Sequence, residues 1–387
     1  MAKKHYRILA ISHSCVVKAY RQRHNEVCRK ERVHVTLLTP CQWTQFNRLC
    51  YAPPKDDDEC FELIRQQPSL DWLPSHGLRN ASHYYPNIAK LIEKTKPHIL
   101  ELWAEPFSMV AWHAARAFRQ FSPQGPILFF SAQNVHKWRP FPWSYFENTI
   151  FKEANFCMAM NEDVQRVLKE KGWQGESEVV PLGVHLPLYE QVTAMKCAFP
   201  STAPVIGYLG KMDEQKGVLD LVEALSLLDK EVKHNLLFIG NGPLFSKVKS
   251  KLNGLKCPHL CLAAISHEKV PQALAAMDIV VMPSRTQKHL KEQFGRVAVE
   301  AMASGKAVIV SSSGALPSVV QDCGVVFPEG DVQALASAIN TLLQDKNMRQ
   351  ELGQRARQRA SDKYSWSVIA SQFIDIYRRL LPVSEVD

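Results

Sequence analysis

Glu292-Gln-Phe-Gly-Arg-Val-Ala-Val-Glu300-Ala-Met-Ala-Ser-Gly305 is the stretch whose reading decides the fold. A buried-looking strand from Asp278 to Met282, closed by Pro283, precedes it, and an apolar run, Ala307 to Val310, follows. This pattern predicts a strand, a loop, an alanine-rich helix from near Gly295 to Gly305, and another strand. A helix start carries unpaired N–H groups and a partial positive charge, so Phe294, Gly295, Arg296 and Val297 form a seat for an anionic group. Glycine at that point lets a ligand approach the backbone. Helical side chains lean toward the N-terminus, so Glu300 points back at the seat, while Glu292 reaches it from the loop.

Upstream, Val205 to Leu209 reads as a strand, Gly210 to Gly217 as a turn, and Val218 to Leu228 as a helix. Asn235 to Ile239 and His259 to Ala263 read as further strands. Lys211 and Lys216 in the turn can meet a diphosphate from the side opposite the helix start, each as a point charge. Phosphate between two hydroxyl-binding carboxylates is the outline of a nucleotide sugar. Gly240-Asn-Gly242-Pro243 lacks the third glycine of a dinucleotide fingerprint and reads as a tight strand-to-helix turn. Arg285, Lys288, His289 and Lys291 either add positive potential before Glu292 or belong to a solvated loop.

The first half alternates in the same way. Tyr6 to Ser12, Val33 to Thr39, His98 to Trp103, Pro126 to Ser131 and Phe156 to Met160 are strands, with helices at Asn87 to Lys96 and Met109 to Phe121. Strand–helix–strand alternation implies parallel sheets, which bind ligands just past the carboxyl ends of their strands. Ser12-His13-Ser14, Glu105 and Gln133-Asn134 with His136 occupy that edge, and His13, Glu105, Asn134 and His136 are candidates for one wall of a binding cleft. Residues 40 to 86 read as an irregular excursion with a possible short strand at Phe61 to Ile64, and the carboxylates of Asp56 to Glu59 as a solvated loop. The expected organisation is an N-terminal α/β domain (1–184), a proline-bearing linker (185–204), a C-terminal α/β domain (205–364) and a terminal segment (365–387).

Length and composition agree with two domains. The chain has 387 residues, 46% hydrophobic and 22% charged, enough to bury two cores. Its ten cysteines contain no CxxC. Cys257 and Cys261 lack the second pair a structural zinc site needs, so reduced thiols and no metal are expected. The apolar start, Ile8 to Ile11, is too short for a signal segment, so the expectation is a cytoplasmic protein. Ten Lys/Arg against Glu26 and Glu31 in the first fifty residues carry eight of the nine net positive charges. The basic segment Lys18 to Lys30 is either a solvated helix face, a peripheral dock on an anionic membrane, or a grip on a phosphorylated acceptor. No recognised pattern for nucleic-acid binding accompanies it.

Gly210-Lys211…Lys216-Gly217, the Glu292-x-Phe294-Gly295-x4-Glu300-Ala-x3-Gly305 signature, and Gly314-x2-Pro317 with Gly324-x2-Phe327 resemble the retaining glycosyltransferases of family 4. The resemblance covers Val205 to about Tyr364 strongly and the first half only in pattern. It implies the GT-B fold, an α/β arrangement of two Rossmann-like domains facing across a deep cleft, with a final helix over Ser365 to Leu381 crossing back to the first domain. It also implies that Lys211, Lys216 and Gly210 meet the diphosphate and Glu300 the ribose. Glu292, with the Phe294 to Val297 amides, would contact the transferring sugar.

The implied activity is hexosyl transfer from a UDP- or GDP-type donor to a sugar, lipid-linked or small-molecule acceptor, without a cofactor. Fixed N–H groups and two ammonium groups would stabilise the leaving diphosphate in place of a metal. Two positions depart from the family: the first loop lacks paired glycines, and Trp103 stands where a histidine is common. A nucleotide-sugar epimerase of the same fold and a non-catalytic nucleotide-sugar-binding protein are the alternatives.

Overall fold

In a computed structural model, which describes residues 6–30, 33–45, 48–73, 76–229 and 231–382, the chain divides into two compact units. One is Met1–Pro181 together with Trp366–Asp387, the other Leu182–Ser365. Residues 185–204, read as a linker, therefore belong to the second unit, and they include a short 3-10 turn at Leu186–Tyr189.

The first unit is built on strands β1 (Tyr6–Ile11), β2 (Val33–Thr39), β3 (Gln42–Gln45), β4 (Arg48–Tyr51), β5 (Glu62–Arg65), β6 (Ile99–Leu102), β7 (Ile127–Ser131), β8 (Phe156–Ala159) and β9 (Glu176–Val179). Seven of them form a parallel sheet in the order β5-β2-β1-β6-β7-β8-β9, while β3 and β4 make a separate antiparallel hairpin. Parallel sheets bury both faces, which is why β6 and β8 are buried at every position; β8 reads as a continuous apolar run, and β6 is interrupted only by the buried Glu101. The irregular stretch 40–86 supplies the hairpin and the edge strand β5. The helix Trp366–Leu380 belongs to this unit and closes its core with Trp366, Ile369, Phe373 and Tyr377.

The basic segment after β1 is not a solvated face. Arg21, Arg23, His24 and Asn25 are all buried. Arg21 donates to the carbonyls of Cys15 and Pro53 at 2.9 Å each, and its guanidinium lies 3.6 Å from the Glu59 carboxylate. Lys18 pairs with Asp56. The acidic run, expected as a free loop, folds back onto the basic segment, and Glu59 is buried. Burial lowers the Arg21 pKa and raises that of Glu59, and each opposes the shift of the other. Arg7 donates to the Lys96 carbonyl at 2.7 Å and Arg29 pairs with Glu26 at 3.0 Å, so much of the local surplus is met inside the unit. Lys3, Lys4 and Arg32 lie outside the described residues.

The second unit contains β10 (Val205–Leu209), β11 (Asn235–Ile239), β12 (His259–Leu262), β13 (Ile279–Met282), β14 (Ala307–Ser311) and β15 (Val325–Phe327), parallel and ordered β12-β11-β10-β13-β14-β15. The chain winds outward from β10 to β12, then returns to the other side of β10 at β13. Such a reversal parts the crossovers and opens a crevice past the carboxyl ends of β10 and β13. In the first unit the same reversal falls between β1 and β6.

The Arg21–Glu59 contact makes a prediction. Arg21→Ala leaves a buried carboxylate unpaired and is expected to cost about 3 kcal/mol in urea denaturation. Arg29→Ala, which breaks an exposed pair, should cost less than about 0.5 kcal/mol. Equal effects of the two substitutions would remove the interior role assigned to Arg21.

Candidate active site at the strand-order reversal of the second unit

The turn after β10 and the loop after β13 meet at this crevice. Lys216 Nζ lies 2.6 Å from Glu292 Oε2, and Ser284 Oγ donates to the same oxygen at 2.9 Å. Glu292 is largely buried and Lys216 partly so, which leaves the ammonium accessible from one side. Lys211 is more open and pairs with Asp213 at 2.8 Å, and Asp213 also accepts from the Lys216 amide at 3.0 Å. One carboxylate thus orders a turn that carries two ammonium groups. The Gly240–Pro243 turn packs beneath it: the Met212 amide donates to the Asn241 carbonyl at 2.9 Å, and the Leu244 amide to the Met212 carbonyl at 3.0 Å.

The Glu292 loop is braced against the same turn. The Arg285 amide donates to the Gln215 carbonyl at 2.7 Å, and its guanidinium grips Asp220 with two bonds of 2.5 and 2.7 Å. Asp220 lies in the first turn of the helix Val218–Ser226, which Gly217 caps. Arg285 therefore adds no free positive potential. It is a clamp that sets Lys216 against Glu292, and planar bidentate geometry makes that clamp directional. Thr286 extends the brace, donating to Glu329 at 2.8 Å.

The helix Arg296–Ala303 starts at Gly295, whose φ of +81° is open to glycine and strained for other residues. Phe294 turns its ring inward, 5.8 Å from that of Tyr364, so only its backbone faces the seat. Glu300, one turn in, is buried; the Tyr189 hydroxyl hydrogen-bonds it, Arg296 lies on its own helix, and His267 Nε2 is 4.0 Å away. Burial raises the Glu300 pKa to about 7, against the opposing pull of Arg296 and Tyr189. Burial also lowers the pKa of His267, so that ring tends to be neutral beside the carboxylate.

Sequence reading did not single out Tyr189, Ser284, Asp213 or Asp220. Tyr189 stood in an aperiodic stretch with no signal. Ser284 and Asp220 had one weak signal each, adjacency to a strand exit and to the lysine turn.

The candidate acceptor-side residues sit on loops after β1, β6 and β7, which are neighbours in the first sheet. His13 packs its ring 5.3 Å from Trp43 and 5.5 Å from His83. Glu105 is committed to its own scaffold, accepting from Ser131 Oγ at 2.7 Å and the Ala132 amide at 2.8 Å, and so ties the β6 loop to the β7 loop. Asn134 is buried and His136 exposed. Trp103, the departure from the family pattern, is interior. It stacks on Phe130, carries the Arg23 guanidinium 3.4 Å over its ring, and donates to the buried Glu101. Tyr377 of the last helix donates to the same carboxylate.

Two parallel α/β units, each reversing its strand order, define a GT-B architecture. Residues 194–359 match the family Glycosyl transferases group 1. Sulfoquinovosyl transferase SQD2 of Arabidopsis thaliana is 30% identical over 168 residues, covering 42% of this chain and 31% of that protein. The chain thus spans less than half the length of that relative. Sucrose-phosphate synthase from Thermosynechococcus elongatus has the same fold, with a TM-score of 0.71 at 23% identity over 97% of this chain and 99% of that one. Anabaena HepE, solved in complex with UDP-glucose, superposes with a TM-score of 0.64 at 18% identity over 97% and 100% of the two chains.

Gly314 tests how tightly Glu292 is seated. Its φ is +55°, and a Cβ there would lie 2.0 Å from the Glu292 carbonyl oxygen. Gly314→Ala is expected to destabilise the protein by about 2 kcal/mol or more, whereas Gly77→Ala, in a helix with open space around it, should be neutral or stabilising by up to about 1 kcal/mol. Thermal unfolding of both variants checks this, and an unperturbed Gly314→Ala would mean that Glu292 is not seated by that contact.

Proposed function

We propose that this chain is a retaining glycosyltransferase that moves a sugar from a nucleoside-diphosphate sugar, of UDP or GDP type, to a hydroxyl-bearing acceptor. The observation that carries the reading is the Lys216–Glu292 pair, held at 2.6 Å at the mouth of the β10/β13 crevice beside the Gly295 helix start. The paired ammonium and carboxylate neutralise each other in the free protein. An entering diphosphate competes for Lys216, and the released Glu292 turns its carboxylate to the hydroxyls of the sugar. Donor binding thus exchanges one ion pair for two charge-assisted contacts.

Lys211, Lys216, the Gly210 turn and the Phe294 to Val297 amides stabilise negative charge as it builds on the departing diphosphate, from groups already fixed in place. Glu300 and Tyr189 meet the ribose. Glu292 favours positive charge on the sugar ring. The acceptor enters on the face the diphosphate leaves, so a phosphate oxygen takes its proton and no protein nucleophile is needed. His13, Glu105, Asn134 and His136 are proposed for the acceptor side, Glu105 acting through the loop geometry it fixes rather than by direct contact. UDP-glucose in a structural relative and glycosyl transfer in the name of a sequence relative support the reading.

Thermal shift against UDP-, GDP-, ADP- and dTDP-sugars identifies the donor. With that donor, Glu292→Ala should retain nucleotide binding and lose sugar turnover by about 100-fold or more, while Lys216→Ala should lose both. Near-normal turnover in either variant would sink the site assignment. A modified free sugar without a glycosylated acceptor would favour epimerisation.

Glu300 adds a pH dependence. Its pKa is raised to about 7 in the free protein, so the fold is favoured while Glu300 is neutral and loses that contribution as pH rises from its ordinary value through about 7. Ribose hydroxyls donate to the ionised form and lower the pKa again, so binding releases a proton below neutrality. Nucleotide affinity measured by calorimetry should rise between about pH 5.5 and pH 8 and lose that slope in Glu300→Gln. An equal slope in the variant would assign the dependence elsewhere.

A further inference from the structure

The segment His136-Lys-Trp-Arg-Pro-Phe-Pro-Trp-Ser-Tyr145 follows β7, and its aromatic side chains are turned outward. Trp138 is 81% exposed and Phe141 79%, the two most exposed of the large apolar side chains among the described residues. Tyr145 is 46% exposed. Rings this large contribute to a core when they can be packed into one, so their exposure asks for an explanation in binding.

The backbone is set to hold them there. Arg139, between the two outermost rings, points inward: its guanidinium lies 3.6 Å over the Phe107 ring and donates to Gln133 Oε1 at 2.7 Å. Pro140 and Pro142 flank Phe141 and restrict the backbone around it. The outward rings are therefore presented from an anchored segment. Tyr145 continues the surface to the helix Met109–Phe121, where its ring is 6.3 Å from that of Trp112, which in turn carries the Arg116 guanidinium at 5.5 Å.

Charge selects among possible partners. No Asp or Glu occurs between Glu105 and Glu147, while Arg116, Arg119, Lys137 and Arg139 do. Arg119 is committed to Glu153 at 2.8 Å, and Arg139 is turned inward, which leaves Arg116 exposed and Lys137 half-exposed around the aromatic surface. Trp, Phe and Tyr rings among cations, with no carboxylate in the stretch, match the boundary of an anionic bilayer: rings enter the headgroup region while ammonium and guanidinium groups meet phosphate.

We propose that the segment 137–145, with the neighbouring Trp112–Arg116 face, docks on an anionic lipid surface. It takes the place of the Lys18 to Lys30 segment, whose cations are largely buried or paired, as the membrane-facing surface. The inference is independent of the donor site.

The test is flotation of the full chain with vesicles of phosphatidylcholine alone and of phosphatidylcholine with about 30 mol% phosphatidylglycerol. The intact chain should float with the anionic vesicles and hardly with the neutral ones. The doubly substituted Trp138→Ser, Phe141→Ser chain should lose about tenfold or more of that partition while keeping its melting temperature and its UDP affinity, both set elsewhere. Failure of the intact chain to float, or equal flotation of the variant, would overturn the proposal. So would a dimer of the intact chain that sedimentation shows to dissociate in the variant, since the patch would then serve a second copy.

Discussion

Parallel strands cannot be joined by tight turns. Each must send the chain back across the sheet before the next begins, and this gathers every strand-exit loop on one edge. When the strand order reverses, neighbouring loops part and leave a crevice between two strand ends. In the second unit that crevice falls between β10 and β13, and both loops there carry charge. Lys216 and Glu292, 76 residues apart in sequence, become partners because β10 and β13 are adjacent.

Around that pair the unit uses three different devices to hold the geometry. Asp213 orders the lysine turn through a backbone amide, Arg285 clamps the loop to the next helix through Asp220, and Gly314 lets the chain pass close against the Glu292 backbone. None of the three faces a ligand in the proposed mechanism. A buried or half-buried ion pair is weakly favourable by itself, because desolvation offsets attraction, so its position depends on such supports. In the proposed function the same logic makes it exchangeable: a diphosphate that replaced the carboxylate at Lys216 would meet a site whose shape is already set.

The first unit uses buried charge differently. Arg23, Glu101, His24, Trp103 and Tyr377 form one interior cluster in which a guanidinium covers an indole face and a buried carboxylate receives the indole N–H and a phenol from the last helix. Burial lowers the His24 pKa well below its ordinary value and raises that of Glu101, so the interior favours the neutral form of each. Trp103 belongs to this cluster, and its departure from the family pattern is one of packing as much as of any acceptor contact. Glu105, two residues on, is likewise engaged with backbone and Ser131.

Local pattern was enough for much of this. Continuous apolar runs mark parallel strands, glycines mark the ends of the helix Arg296–Ala303, and the spacing of Lys216, Glu292 and Glu300 relative to those strands places them on one sheet edge. These features are local because strand burial and helix capping act within a few residues. Charge partners were not legible in the same way. The basic segment 18–30 was open to a solvated face, a membrane dock or a grip on a phosphorylated acceptor, and the run 56–59 read as a solvated loop, yet Arg21 and Glu59 are buried together. Tyr189, in a stretch read as linker, reaches Glu300. Whether an ionisable side chain faces water or another chain segment is set by contacts dozens of residues away, and only tertiary structure supplies them.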